Sequence, residues 1–336
     1  MLDERHRLSF GCSALAGLYH PISEAGSRQV LQAAWDEGFR YFDTAPHYGN
    51  GMSERRVGDF LRDKDGWLLS TKVGRILTPD RYPRTPTNGF FNPLPFQQHF
   101  DFSYDGIMRS VEGSFQRLGL NRIDILYVHD IGDPAVGTDT PEHISSLLEG
   151  GQRALVELKS SGVIKAFGLG VNTTRICEDL VGRMDLDLIL LAGRYTLLDQ
   201  SATKRLFPLC AAHDVGIVIG GVYNSGILAT GAIEGAFFDY APANTDVLEQ
   251  VRELEAICAR FEVPLASAAL QYPARHPLVA STLLGTSKVS SVSRNLRSWS
   301  HQIPEELWSA LEAKFEAQSQ VCKPEHTGFP EDTKNG

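Results

Sequence analysis

Eight short apolar runs recur along this chain of 336 residues, and each is followed by a segment whose apolar residues have helical spacing. The runs are Leu8–Leu15, one around Tyr41–Thr44, Trp67–Val73, Ile123–Val128, Ala166–Val171, Leu186–Leu191, Gly216–Gly220 and Val279–Leu284. Continuous apolar runs suit strands covered on both faces, as in parallel sheets. Between them, Val30, Leu31, Ala34 and Trp35 share one helical face, as do Ile107, Val111, Phe115 and Leu118. Ser23, Ser53, Ser103, Asp199 and Thr245 are the expected N-caps. Alternation of strand and helix predicts an α/β chain, and eight repeats favour a closed (β/α)8 TIM barrel over an open sheet. Such a barrel takes about 250 residues or more. Residues 1–336 are therefore expected to form one domain, with a core over about 8–300. Pro304 opens an extra C-terminal helix, and a polar tail follows from Gln320.

Residues 74–103 break the rhythm with five prolines and six aromatics after the third strand. Long loops in compact domains are often lids or binding loops. The expectation is an unstructured lid over the carboxyl end of the barrel, where chemistry sits in this architecture; the alternative is a rigid surface loop packed down by its aromatics. Gly132–Glu149 is expected to be a second, smaller loop on that face, and 229–244 an Ala- and Gly-rich loop.

At 42% hydrophobic and 22% charged, the composition is that of a globular protein. A net charge of −9 argues against nucleic acid as a partner, but leaves room for a local phosphate-binding site. Five cysteines without a C-x-x-C pair make a disulfide framework or metal site unexpected. The first residues lack the apolar core of a signal peptide, and no run approaches the roughly 20 apolar residues of a membrane span. Cytoplasmic location, a small-molecule substrate and no membrane partner are the expectations. Oligomeric state is not readable.

Gly38–Glu54 concentrates the chemistry-bearing residues. Tyr41, Phe42 and Thr44 favour a strand, Pro46, Gly49, Asn50 and Gly51 a loop, and Ser53 begins a helix. Asp43 thus ends a strand and Tyr48 lies in the loop beyond it. This stretch resembles the signature of the aldo-keto reductases. Ser70-Thr71-Lys72-Val73 and Asp124-Ile125-Leu126-Tyr127-Val128-His129-Asp130 resemble two further segments of that family. The resemblance runs from about Leu8 to about Trp308 and implies a catalytic tetrad of Asp43, Tyr48, Lys72 and His129.

The chemistry of these residue types agrees. A Tyr hydroxyl can move a proton, but its ordinary pKa of about 10 is too high for a good base near neutrality. A neighbouring ammonium stabilises the phenolate, the role assigned to Lys72, with Asp43 holding that lysine. His129 can orient the substrate oxygen. His47, Asp130 and Phe91 are candidate substrate contacts.

No G-x-G-x-x-G follows a strand; Gly168-Leu169-Gly170 lacks the third glycine. The resemblance implies instead a nicotinamide cofactor extended across the barrel end. Asn172 would meet its carboxamide. Gly220, Gly221, Val222, Asn224 and Ser225 would follow the pyrophosphate, and Gly285, Thr286, Ser287, Lys288 and Asn295 the adenosine end. Two departures stand out. Many members have Ser-Asn after the fifth strand, where this chain has Val171-Asn172, and many stack an aromatic on the nicotinamide where Gly220 stands here. One lysine and two hydroxyls after the eighth strand suit a ribose 2′-OH at least as well as a 2′-phosphate, so NAD is expected, with NADP the alternative.

Within the family, Asp43–Gly49, Leu190–Gln200 and Gly220–Gly226 resemble the bacterial sugar dehydrogenases acting on L-fucose and other D-threo-aldoses. These oxidise the C1 hydroxyl of a cyclic sugar to a lactone. A pyridoxal-oxidising subgroup resembles the same stretches and also forms a lactone. An NADPH-dependent aldehyde reductase and a non-enzymatic redox-sensing subunit are the remaining alternatives.

Overall fold

The computed structural model of the protein describes residues 2–82, 89–239 and 241–321. Among them, eight parallel strands close a barrel: β1 (Leu8–Gly11), β2 (Tyr41–Asp43), β3 (Leu68–Val73), β4 (Ile125–His129), β5 (Ala166–Val171), β6 (Leu188–Ala192), β7 (Gly216–Gly220) and β8 (Val279–Gly285). They pair in chain order, and β8 returns to β1 with Leu8 opposite Thr282. β5 and β7 occupy the expected residues. β1 is shorter than expected because Ser13–Ala16 winds into a 3-10 turn.

Two apolar layers hold the barrel. Inside it, Tyr41, Leu68, Ile125, Tyr127, Leu188, Leu190, Val218 and Leu283 form a plug. The Tyr41 and Tyr127 hydroxyls satisfy each other there at 3.0 Å. Outside it, side chains such as Phe10, Phe42, Leu69, Leu126, Phe167 and Ile217 meet the inner faces of the surrounding helices. Each fully buried side chain of this kind contributes about 1.5–3 kcal/mol.

Ser23 and Ser103 cap their helices as expected, accepting from Gly26 and Gly106 N–H. Ser53 does not. The helix Met52–Leu61 starts from Gly51, whose φ of 91° favours glycine. The Ser53 hydroxyl is instead buried, accepting from Thr44 Oγ1 at 2.8 Å and donating to Cys12 O at 2.9 Å. Asn244, not Thr245, caps the helix Thr245–Ala259. Asp199 accepts from Ser201 N–H in a short turn, and the next helix waits until Leu206.

The insertion after β3 is not a structureless loop. Arg75–Pro79 and Phe96–Phe100 pair antiparallel, Ile76 opposite His99. Pro83 and Pro86 lie outside the described residues. The loop after β4 also carries structure: Thr140 caps a helix over Pro141–Ser146, followed by a π-turn at Leu147–Gly151. In the loop after β7, Phe237–Phe238 pairs with Ala241–Pro242. The C-terminal helix runs over Glu305–Val321, past the expected end at Gln320, and the tail from residue 322 lies outside the described residues. Cys12, Cys177, Cys210 and Cys258 are buried free thiols. No helix among the described residues is long and apolar enough to cross a membrane.

Candidate active site

Register brings the tetrad together. Asp43 ends β2 opposite Ser70 of β3, and Lys72, two residues on, points to the same side. Ser70 Oγ donates to Asp43 Oδ1 at 2.7 Å. Lys72 Nζ donates to Asp43 Oδ2 at 2.6 Å and to Thr44 O at 2.9 Å. Asp43 and Lys72 are both buried. Burial alone would push the lysine pKa down, but the Asp43 carboxylate, helped by Tyr48, pushes it up. The ammonium is therefore fixed as a charge. A side chain at Gly170 would stand 3.1 Å from Tyr127 Cβ, so the glycine serves the close packing of β5 on β4 beside Lys72.

Tyr48 sits in the turn after β2, with Lys72 Nζ 4.6 Å from its ring centroid. The His129 ring lies 6.1 Å from it, edge to face, and Phe90 packs on it at 6.1 Å. His129, at the end of β4, is buried, and its pKa lies well below the ordinary histidine value through burial and the charges of Arg75 and Lys72. Its ring is neutral. His129 Nδ1 is a buried atom with no hydrogen-bond partner among the described residues.

Around this centre lie two of the expected substrate contacts, His47 and Asp130, together with residues that sequence reasoning left out: Arg75, Gln98, Phe90 and Glu54. Arg75, from the hairpin, is buried with its guanidinium 4.2 Å from the Phe100 ring centroid. It pairs with Asp130 through Nη2 and donates to Gln98 Oε1 through Nη1 at 3.0 Å. Asp130 takes a left-handed φ of 51° to reach it. Burial raises the Asp130 pKa, opposed by Arg75. Asp130 Oδ2 is also 3.6 Å from His129 Nε2. His47 Nδ1 lies 2.9 Å from Gln98 Oε1. Of the two phenylalanines Phe90 and Phe91, it is Phe90 that is buried against His47 and Tyr48; Phe91 is 38% exposed. Glu54, buried in the helix after Tyr48, accepts from Thr71 Oγ1 and Arg117 Nε, locking that helix to β3.

The expected cofactor residues line the ends of β5, β7 and β8. After β7 the backbone turns through left-handed φ at Gly221, Asn224, Ser225 and Gly226. Among the described residues, Asn224 Oδ1, Tyr223 Oη and Thr173 Oγ1 are buried without hydrogen-bond partners. Buried polar atoms are costly unless completed, so this edge fits a polar ligand such as a dinucleotide. Arg194 braces it, donating to Asn172 O at 2.8 Å and pairing with Asp199 and Asp239. Gly285 pairs with Gly11, and a side chain there would meet Gly11 O at 2.6 Å, so this glycine also serves close strand packing. Thr286 Oγ1 accepts from the Lys288 N–H, and Lys288 precedes the helix Val289–Ser300, which carries Asn295. Arg294, unremarked in the sequence reading, adds a second cation at this corner, bonded to Ser291 Oγ at 2.5 Å.

Comparison with known proteins gives the family. The family model described as "Aldo/keto reductase family" matches residues 7–316. A pyridoxal 4-dehydrogenase of Microbacterium luteolum is 45% identical over 318 residues, covering 91% of this chain and 93% of its own. A D-threo-aldose 1-dehydrogenase of a Pseudomonas species is 38% identical over 313 residues, covering 90% and 92%. Among solved structures, the holo form of an aldo-keto reductase from Bacillus halodurans superposes with a TM-score of 0.71 at 26% identity, over 91% of both chains. A closed eight-stranded barrel with a buried lysine–aspartate pair beside a tyrosine, and a family match over nearly all of that barrel, lead to one conclusion: this chain is an enzyme of the aldo/keto reductase family, a group of NAD(P)-dependent oxidoreductases.

Proposed function

We propose that this enzyme oxidises the carbinol of a cyclic hemiacetal to a lactone, with an aldose of the L-fucose or D-threo type as substrate and NAD as cofactor. The observation that carries this reading is the buried Lys72 ammonium, held by Asp43 and Thr44 O and 4.6 Å from the Tyr48 ring centroid. A charge so placed stabilises a phenolate. Tyr48 takes the proton of the C1 hydroxyl as the C1–H bond breaks and the C=O of the lactone forms. His129 donates an N–H to the same oxygen and holds it in line. A nicotinamide bound at this barrel end would supply the hydride acceptor. Phe90 walls the substrate off on the side of the Tyr48 ring.

Asn172 and the 220–225 turn would hold the nicotinamide and pyrophosphate, and Thr286–Lys288 with Asn295 the adenosine. NADP use would need Lys288 together with Arg294, whose Nη2 is engaged by Ser291. A second reading has a specific observation in its favour: the pyridoxal 4-dehydrogenase is 45% identical to this chain. Pyridoxal closes on its own hydroxymethyl group into a hemiacetal, so it would be oxidised by the same residues. Initial rates with NAD and NADP against L-fucose, L-galactose, D-arabinose and pyridoxal test the proposal. Fast NAD reduction with one aldose supports it; NADPH-dependent aldehyde reduction without any oxidation overturns it.

A further inference from the structure

The hydrogen bonds around Gln98 fix which nitrogen of His47 carries its proton. Asn50 Nδ2 donates to two backbone carbonyls, Leu94 O at 3.0 Å and Phe96 O at 2.5 Å. Carbonyls only accept, so the Asn50 amide has one orientation, and its Oδ1 faces Gln98. Gln98 Nε2 donates to that Oδ1 at 2.7 Å, and at 3.4 Å to His47 O. Gln98 Oε1 therefore lies on the other side, where it accepts from Arg75 Nη1 at 3.0 Å. Flipping this amide would set two donors against each other at Arg75 and two acceptors at Asn50. The same Oε1 is 2.9 Å from His47 Nδ1. An amide oxygen cannot donate, so Nδ1 carries the hydrogen.

The His47 ring is neutral as well: burial, and then the charge of Arg75, push its pKa down to about 4. A neutral imidazole has one N–H. Its Nε2 is consequently an acceptor. The ring lies 5.7 Å from that of His129 and 6.1 Å from that of Tyr48, with Phe90 edge-on at 5.4 Å. An acceptor thus stands beside the two groups that hold the reacting oxygen, and the next substrate oxygen is one carbon away.

We propose that His47 Nε2 accepts a hydrogen bond from a substrate hydroxyl on the carbon next to the reacting carbinol, and that Gln98 is the positioning residue that sets this polarity. The site then selects a hemiacetal with a neutral vicinal hydroxyl, a 2-hydroxy aldose. Pyridoxal carries no hydroxyl on the carbon next to its carbinol; its ring oxygen stands one carbon further out and is ionised near neutral pH, so it offers His47 no donor at that position. This inference rests on the hemiacetal reading above and deepens it.

Two measurements on the full chain decide it. In a long-range 15N–1H correlation spectrum, with His47 assigned by loss of its signals in His47→Gln, Nδ1 is protonated and Nε2 bare across roughly pH 6–8. The opposite tautomer, or a doubly protonated ring, overturns the proposal. This readout on the wild type stands whether or not any Gln98 variant folds. In kinetics with NAD, wild-type kcat/KM favours L-fucose over 2-deoxy-L-fucose by about tenfold, the scale of one hydrogen bond. Gln98→Leu brings the two within about twofold by losing rate on L-fucose. A wild-type ratio near one, an unchanged ratio in Gln98→Leu, or oxidation of pyridoxal but not of aldoses overturns the proposal and leaves the hemiacetal reading intact. Oxidation of no hemiacetal overturns both.

Discussion

Lys72 Nζ lies 2.6 Å from Asp43 Oδ2, and the two side chains are 3% and 1% exposed. Both side chains are enclosed by the barrel. The Ser70 hydroxyl donates to Asp43, the Thr44 carbonyl accepts from Lys72, and Lys72 is also hydrogen-bonded to Tyr48. The pair's contribution to stability is therefore conditional on both partners being present.

Asp43→Ala strands the Lys72 ammonium in the barrel. Breaking a buried pair in this way costs about 3–5 kcal/mol, whereas replacing both partners by apolar groups is often neutral. Urea denaturation is expected to show the full loss for Asp43→Ala and recovery of most of it in Asp43→Leu/Lys72→Met. That double variant is expected to be catalytically dead, which separates the pair's structural part from its chemical one. A double variant as unstable as the single one would contradict the claim that the cost of Asp43→Ala is that of an unpaired buried ammonium.

His47 gives the protein an acid sensitivity whose sign follows from its depressed pKa. With a folded value of about 4 against about 6.5 unfolded, the unfolded chain binds the extra proton between these limits. Stability is then full above about pH 6.5 and falls as pH drops toward 4, by roughly 3 kcal/mol in all. His129, lowered for the same reason of burial, adds in the same direction. Urea midpoints measured between neutrality and pH 4.5 are expected to fall steadily, and His47→Gln to flatten the slope. A wild-type midpoint constant over this range rules the account out.

Gly58 lies in the helix after Tyr48 where the end of the next helix crosses it. A methyl group there would stand 1.8 Å from Leu118 O, a backbone atom. Gly58→Ala is expected to destabilise by at least about 1–3 kcal/mol, the usual cost of overpacking, with KM for the surviving folded enzyme near wild type. Thermal melts alongside steady-state kinetics check both halves.

Much of the barrel was legible because its strands are short apolar runs bounded by glycine, as Gly216–Gly220 is, or end at a polar residue in the site, as β2 does at Asp43. Ser23 and Ser103 were read correctly because an exposed N-cap needs only local geometry. Ser53 misled because the same hydroxyl is more useful buried, between Thr44 and Cys12. The hairpin over 75–100 escaped because its prolines and aromatics suggest a loop, while its pairing joins residues such as Arg75 and Phe100, far apart in the chain. One signal for the helix after β4 was present and unused: Thr140-Pro141 is a cap followed by proline at the first helical position. The Arg75–Gln98–His47 connections depend on side-chain directions across two separate loops, which no spacing rule encodes.

The most direct test of the central claim is lactone and NADH formation by the wild type and by Tyr48→Phe, with L-fucose and with pyridoxal. The account predicts one lactone per NADH in the wild type, and in Tyr48→Phe a kcat lower by roughly a hundredfold to ten-thousandfold with cofactor binding retained by fluorescence titration. Near wild-type turnover by Tyr48→Phe would contradict it.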